Sequence, residues 1–481
     1  MSRINTNVPA IVAARILNRQ NEALNQSLER LSTGLRINRG KDDPAGLIAS
    51  ETLRSEQRAI TAAIENARRA DNIVAVAESG LQEVSALLLE LEDLVDRTAN
   101  EAGLSDEEVE ANQLQIDSIL STINRIANST AFKGKKLLDG TLDYTLSSVP
   151  SSAISDVQVT GARLPEGGSR TVVVQVQTSA QFAQLRYIGA GLSASNDLTI
   201  QVAGNYGTEL FSFAASTTVS AMAAAINQAK ELTGVSATTN ANNSAMYFNS
   251  VGYGSDAFVT VTTVSSGTDS FVLYEGDTTT QTTTDSGQDA AVTINGQSAT
   301  TDGLEASVRS AALSLNLVLT SAFAQQTTTS KTFYITGGGA DFSLAPEVSL
   351  TGMESLGIGS VSTATLGNST YGYVSSLGSG QTNQLSAKNF ATAQRIIRAA
   401  VKQVSSLRGR LGSFQRNTLQ STISALQVTY ENTTAAESAI RDADFATETA
   451  NLTRSQILVN SATAALQLAN AAPQNVLALL G

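Results

Sequence analysis

The chain has 481 residues, 42% of them hydrophobic, enough for about three cored domains of about 150 residues, which excludes a wholly disordered protein. Its 31 Lys and Arg against 43 Asp and Glu leave a net charge of −12, so nucleic acid or an anionic membrane surface would repel the chain as a whole. Histidine and cysteine are both absent, which removes disulfides, thiol nucleophiles, the usual zinc ligand sets and every triad that uses imidazole as its base. No catalytic residue, cofactor or metal is therefore expected.

At the N-terminus the apolar run VPAIVAA (8–14) is too short for a secretory signal and has no clear cleavage site after it, so Sec export is not expected. No run of about 18 uncharged apolar residues occurs, and no membrane span is expected. Charge divides the chain: residues 1–145 hold 38 charged side chains, 146–382 only 22, and 383–481 hold 14. No proline falls between Pro44 and Pro150 or between Pro346 and Pro473, leaving two intervals where helices need not break.

Leu17, Leu24, Leu28, Leu31 and Leu35 step by sevens, fours and threes, as a helix stripe does. Asp42, Asp43 and Pro44 mark a break after it. Leu81, Val84, Leu88, Leu91 and Val95 form the next stripe. Ser105 with Glu108 is a capping box that opens a helix carrying Val109, Ile116, Ile119, Ile123 and Ile126. Together these give a helical hairpin over about 57–128.

The middle is β-branched and rich in Thr and Ser. Strands are expected at 171–178, 197–204, 257–264, 290–296 and 331–336, with helices at about 219–232 and 304–319. Downstream, Val404, Leu407, Leu411 and Phe414, then Leu419, Ile423, Leu426 and Tyr430, return to helical spacing. After a second break near 442, Leu452, Val459, Ala462, Leu466 and Ala469 form the last stripe. The inner stripes suit an intramolecular core. The two outermost helices have only each other, or another molecule, to bury against, and that asks for self-association.

Other motifs have plainer readings. GAGLSA (189–194) fits a dinucleotide loop by spelling but runs into a strand where a helix is required. Gly337, Gly338 and Gly339 lack the Lys and Ser/Thr of a phosphate loop and suit a tight turn. Asp42/Asp43 and Asp442/Asp444 lie at helix junctions, where capping outweighs cation binding. Asp106, Glu107, Glu108 and Glu110 occupy a first helical turn, where the helix dipole favours acids.

Six segments, INTN (4–7), ERLSTGLRINRGKDDPAGL (29–47), AESGLQEV (77–84), FKGKKLLDG (132–140), IRDADFATETANLTRSQIL (440–458) and PQNVLALL (473–480), resemble bacterial flagellin over about 1–145 and 385–481. Gly40 and Pro44 stand where many flagellins carry Ala. DLTIQV (197–202) with AAAINQA (223–229) and TGVSA (233–237) is similar to the insert of flagellins and hook proteins.

The resemblance implies an extracellular subunit that polymerises into the flagellar filament for motility. It also implies type III export and partners in a cap, a hook-junction protein and a chaperone. Its fold would be multidomain α+β: a coiled-coil core domain from 1–43 with 441–481, a helical bundle from 44–149 with 383–440, and outer α+β domains over 150–382. Self-assembly would rest on Leu17, Leu24, Leu28, Leu31, Leu35, Leu452, Val459 and Leu466. The alternatives are a hook–filament junction protein or a non-polymerising adhesin; an enzyme displayed on the insert would need a histidine motif that the chain lacks. Flagellins sensed by the animal innate receptor resemble one another in Gln-Arg-x-Arg-Glu-Leu, and in the register of 77–100 Glu90 and Glu92 replace both arginines, which implies weak sensing.

Overall fold

The computed structural model describes residues 6–100, 103–164, 168–189, 191, 197–266, 271–310, 312–369 and 371–480, with the side chains of 472–480 left aside. The helices are α1 (Val8–Thr33), α2 (Pro44–Thr98), α3 (Asp106–Ser129), α4 (Val219–Gln228), α5 (Lys230–Thr233), α6 (Ser321–Ala324), α7 (Phe390–Ser413), α8 (Gln420–Arg441) and α9 (Phe445–Leu480). Long helices lie at both ends of the chain and a β-rich region at its centre, the α+β arrangement expected. The chain divides into two compact units, one of 1–71, 343–352 and 415–481, the other of 72–342 and 353–414.

In the first unit α1 pairs with α9, and Ile60, Ala63 and Ile64 of α2 pack against Leu426 of α8. In the second, Leu81, Val84, Leu88, Leu91 and Val95 of α2 are fully buried against Ile116, Ile119 and Ile123 of α3 and Ile396, Val404 and Leu407 of α7. The expected stripes thus interlock as one bundle core, each fully buried aliphatic side chain contributing about 1.5–3 kcal/mol. By length and composition α2 also meets the criterion for a membrane span. One stripe of it, from Val74 through Leu81, Leu88 and Leu91 to Val95, is buried in this core, while Leu89 is 54% exposed. The capping box forms as expected: Ser105 Oγ accepts from Glu108 N at 3.3 Å and Glu108 Oε2 accepts from Ser105 N at 2.8 Å.

Between α7 and α8 a π-helical turn spans Phe414–Leu419. The two stripes of the sequence are separated there by five residues, Phe414 to Leu419, where three or four would continue an α-helix. The π turn absorbs the extra residue and keeps Leu419 buried.

The middle of the second unit is two β modules, one nested in the other. In the outer module, Arg170–Thr178 lies between Ala291–Ile294 and Ser330–Gly338, with Tyr144–Ser147 beyond, while Leu313–Leu319 pairs with Ile154–Ala162 and Glu305–Arg309. The nested module joins the sheet of Leu198–Gly204, Gly207–Phe213, Phe258–Ser266 and Thr284–Ser286 to that of Gln184–Ile188, Val235–Thr239, Ala245–Ser250 and Leu273–Glu275, with α4 on its core. All five expected strands are present, extended or trimmed at their ends.

The helix expected at 304–319 is overturned: the segment is the strand pair Glu305–Arg309 and Leu313–Leu319. Leu313, Leu315, Leu317 and Leu319 are buried while the residues between them are not, a period of two that serves one face of a sheet. Of the triple glycine, Gly337 and Gly338 pair with Thr145 and Tyr144 in the sheet, and only Gly339 turns the chain.

The modules meet at Asp289, whose carboxylate accepts from Ser255 N (3.0 Å) and Ser255 Oγ (2.7 Å) of the nested module and from Gly303 N (2.7 Å) of the outer one. Gly254, at φ +105°, is required there, since a Cβ would lie 2.6 Å from the Cα of Gly303.

Candidate self-assembly surface

Asn7 opens α1 by accepting from Ala10 N through Oδ1 at 3.1 Å, and its Nδ2 donates to Ala469 O at 2.8 Å. Arg30, near the other end of α1, forms an ion pair with Glu448 of α9 at 3.7 Å. Residue 7 therefore lies by 469 and residue 30 by 448, so the two helices run antiparallel.

Leu17, Leu24 and Leu31 of α1 and Leu452, Val459 and Leu466 of α9 are half-buried along this pair, with Ala462, Ser27 and Ser455 buried among them. Two expected members behave differently. Leu28 is 47% exposed, and Leu35 lies beyond the helix, which ends at Gly34 in the left-handed conformation (φ +71°). Leu35 instead bridges Asp442 in an antiparallel step.

The two sequence breaks are joined through that step. Arg36 N donates to Arg441 O at 2.7 Å, Ala443 N donates to Gly34 O at 2.9 Å, and the Arg36 guanidinium donates to Ile440 O. Ile37 is buried beneath. Asp42, Asp43 and Asp444 act on the backbone, whereas Asp442 accepts from Ser438 Oγ at 2.6 Å. Asp43 Oδ1 caps α2 at Gly46 N (2.9 Å), and Asp444 caps α9 at Ala446 N (2.9 Å), also taking Thr447 Oγ1 (2.7 Å). The hydrogen bond from Thr447 and those from the helix N-terminus hold the Asp444 carboxyl below its ordinary range. The Arg39 N–H does the same for Asp42, whose Oδ2 closes the 38–42 turn. Among the described residues no cluster of three or more Asp or Glu could hold a metal ion.

What the stripes alone missed is a second apolar face. On α1, Val8 (56% exposed), Ile11 (62%) and Ile16 (45%) stay exposed; on α9, Ile457 (60%) and Leu468 (74%), close to three helical turns apart on one side, do so. Near the N-terminal end of α1, Val8, Val12 and Ile16 face Ala462, Ala465 and Ala469 across an apolar groove of about 490 Å³. The signal was present in the sequence: VPAIVAARIL places aliphatic residues on more of the helix than one partner can cover.

Glu90 is exposed and accepts from Gln115 Nε2 at 3.2 Å, whereas Glu92 forms an ion pair with Arg398 of α7 at 2.9 Å. Of GAGLSA, Ala190 and Leu192–Ala194 lie outside the described residues; Gly191 bridges Thr218, and the chain continues into the strand Leu198–Gly204.

Terminal helices paired with each other, a helical core built from distant parts of the chain and β modules inserted between them define a helix-paired structural protein. Residues 4–143 match the model of the bacterial flagellin N-terminal helical region, 392–480 that of the C-terminal helical region, and 197–252 that of the flagellin hook IN motif. The chain belongs to the bacterial flagellin family.

It is 45% identical over 137 residues to flagellin E of Vibrio cholerae, a match covering 28% of this chain and 36% of that protein. It is 28% identical over 522 residues to flagellin of Salmonella choleraesuis, covering 99% of each. Among solved structures, FliC from Burkholderia pseudomallei is similar over 73% of this chain and 99% of its own, at 15% identity and a TM-score of 0.24.

Proposed function

We propose that this chain is the structural subunit of a bacterial flagellar filament and polymerises through its paired terminal helices. The observation that carries the reading is the second apolar face on α1 and α9, which the pairing of the two helices leaves open to solvent. A monomer gains nothing from this face, whereas a second copy buries it, at about 25 cal/mol per Å² of apolar surface.

In the polymer, 1–43 with 441–481 would form the inner core, the stripe from Leu17 to Leu31 with Leu452, Val459 and Leu466 would hold each pair together, and 44–149 with 383–440 would form the next layer. The β modules within 150–382 would face outward. Cap, hook-junction protein and export chaperone are the partners this role requires.

Purified protein should sediment as filaments after salt is added and be visible as such in the electron microscope. A protein that stays monomeric would instead support the adhesin reading, and one that forms only short, closed assemblies would support the junction-protein reading.

A further inference from the structure

The nested β module makes a small, polar contact with helix α7. Arg395 of α7 donates through Nη1 to Glu231 Oε2 at 2.6 Å and through Nη2 to the Glu231 carbonyl at 3.4 Å, and its guanidinium carbon sits 4.8 Å from the centroid of the Tyr206 ring. Glu231 and Tyr206 both belong to the nested module, 164 and 189 positions before Arg395. The neighbouring α7 side chains do not contribute: Gln394 and Arg398 are taken by Asp96 and Glu92 of α2.

The receiving end is shaped for this guanidinium. Gly234 (φ +74°) ends α5, and a Cβ there would lie 3.1 Å from the Tyr206 ring, so the glycine lets the turn carrying Glu231 close against that ring. Tyr206 N donates to Thr233 O at 3.3 Å and ties the two turns together. Burial, and next the adjacent Tyr371 hydroxyl, push the Tyr206 phenol above its ordinary value, so it stays a neutral ring beneath the cation. Yet Tyr206, Leu232 and Tyr371 all remain more than a third exposed. A contact resting on one cation, paired with a Glu231 side chain that is 65% exposed, is released at little cost.

We infer that Arg395 is a latch that docks the nested β module on α7, and that ionic strength switches the module between a docked and a released position. The surface that the chain presents outward then has two states rather than one. The inference does not depend on the filament reading, because the latch is made within one chain and is read on monomer.

The test is amide exchange on the full-length monomer at about 0.02 M and 1 M salt, where the screening length falls from more than 10 Å to about 3 Å. Wild type should show exchange of the Tyr206, Leu232, Thr233 and Gly234 amides rising about three- to tenfold with salt. Arg395→Gln should show the high-salt rate at both salt levels, with the Val202 and Phe248 amides of the module core unchanged. Glu231→Gln, which removes the other half of the pair, should likewise show the high-salt rate at both salt levels. Arg395→Gln behaving as wild type, or exchange rising equally through the module core, would overturn the latch.

Discussion

Asp289 shows how much a single carboxylate can organise. Its hydrogen bond from Gly303 N, with those from Ser255, holds it below its ordinary value of 3.8, so its ionised form stabilises the module junction. A depressed carboxyl gives its stabilisation in full above the unfolded value, and loses it as pH falls through 3.8 toward the lower folded value. The protection factors of the Ser255 and Gly303 amides, taken against the slower intrinsic exchange in acid, should therefore fall on going from neutral pH to about pH 3, and Asp289→Asn should show that loss of protection already at neutral pH. A junction equally protected at both pH values would refute the role.

Glu90 and Glu92 belong to the same scale. Where sensed flagellins carry arginines, the reversal would replace attraction by like charge, worth roughly a thousandfold in affinity. This protein should signal weakly on receptor reporter cells beside a flagellin that keeps both arginines; equal potency would reject the idea. Glu90→Arg is the cleaner gain-of-signal variant, because Glu92 already serves Arg398 within the bundle and Glu92→Arg would set two cations together.

Among the elements, the long helices were legible in the sequence because apolar spacing over many turns has one reading. Leu81 to Val95 and Ile116 to Ile123 are buried as that spacing requires. In the 304–319 segment, expected as a helix, the alternation of Leu313 to Leu319 was the physical signal of a strand. The π turn was visible only as an odd five-residue step. The exposed face of α1 escaped because a stripe rule looks for one face and stops when it finds it.

That face gives a prediction at its own scale. Ile11→Asp with Leu468→Asp changes two solvent-facing positions outside the groove between the helices, so the monomer should keep its helical content and thermal stability. Burying either carboxylate against a second copy costs several kcal/mol, and the variant should fail to polymerise. Filaments of ordinary length from the variant would remove the outer face from the assembly surface.

At the scale of the whole molecule, the chain leaves and re-enters the bundle at one place: Ile358 N donates to Leu142 O and Val361 N to Leu138 O, at 3.0 and 3.1 Å. Leu138, Ile358 and Val361 are buried in the bundle core, while Tyr144 already belongs to the outer module. Joining Leu142 to Ile358 by a short turn removes both β modules together with 343–352 of the first unit, and should keep the bundle folded and leave polymerisation intact. Loss of assembly from a folded version of that protein would mean that the modules take part in the lattice.

The paired ends as the source of polymerisation can be tested most directly by electron microscopy of the full-length protein beside a chain ended at Ile440, which lacks α9. The full-length protein should form filaments. The shortened one should retain its bundle and β modules, judged by circular dichroism, and form none, because α1 has lost its partner. Filaments from the shortened chain, or none from the full-length protein under the same conditions, would contradict the account.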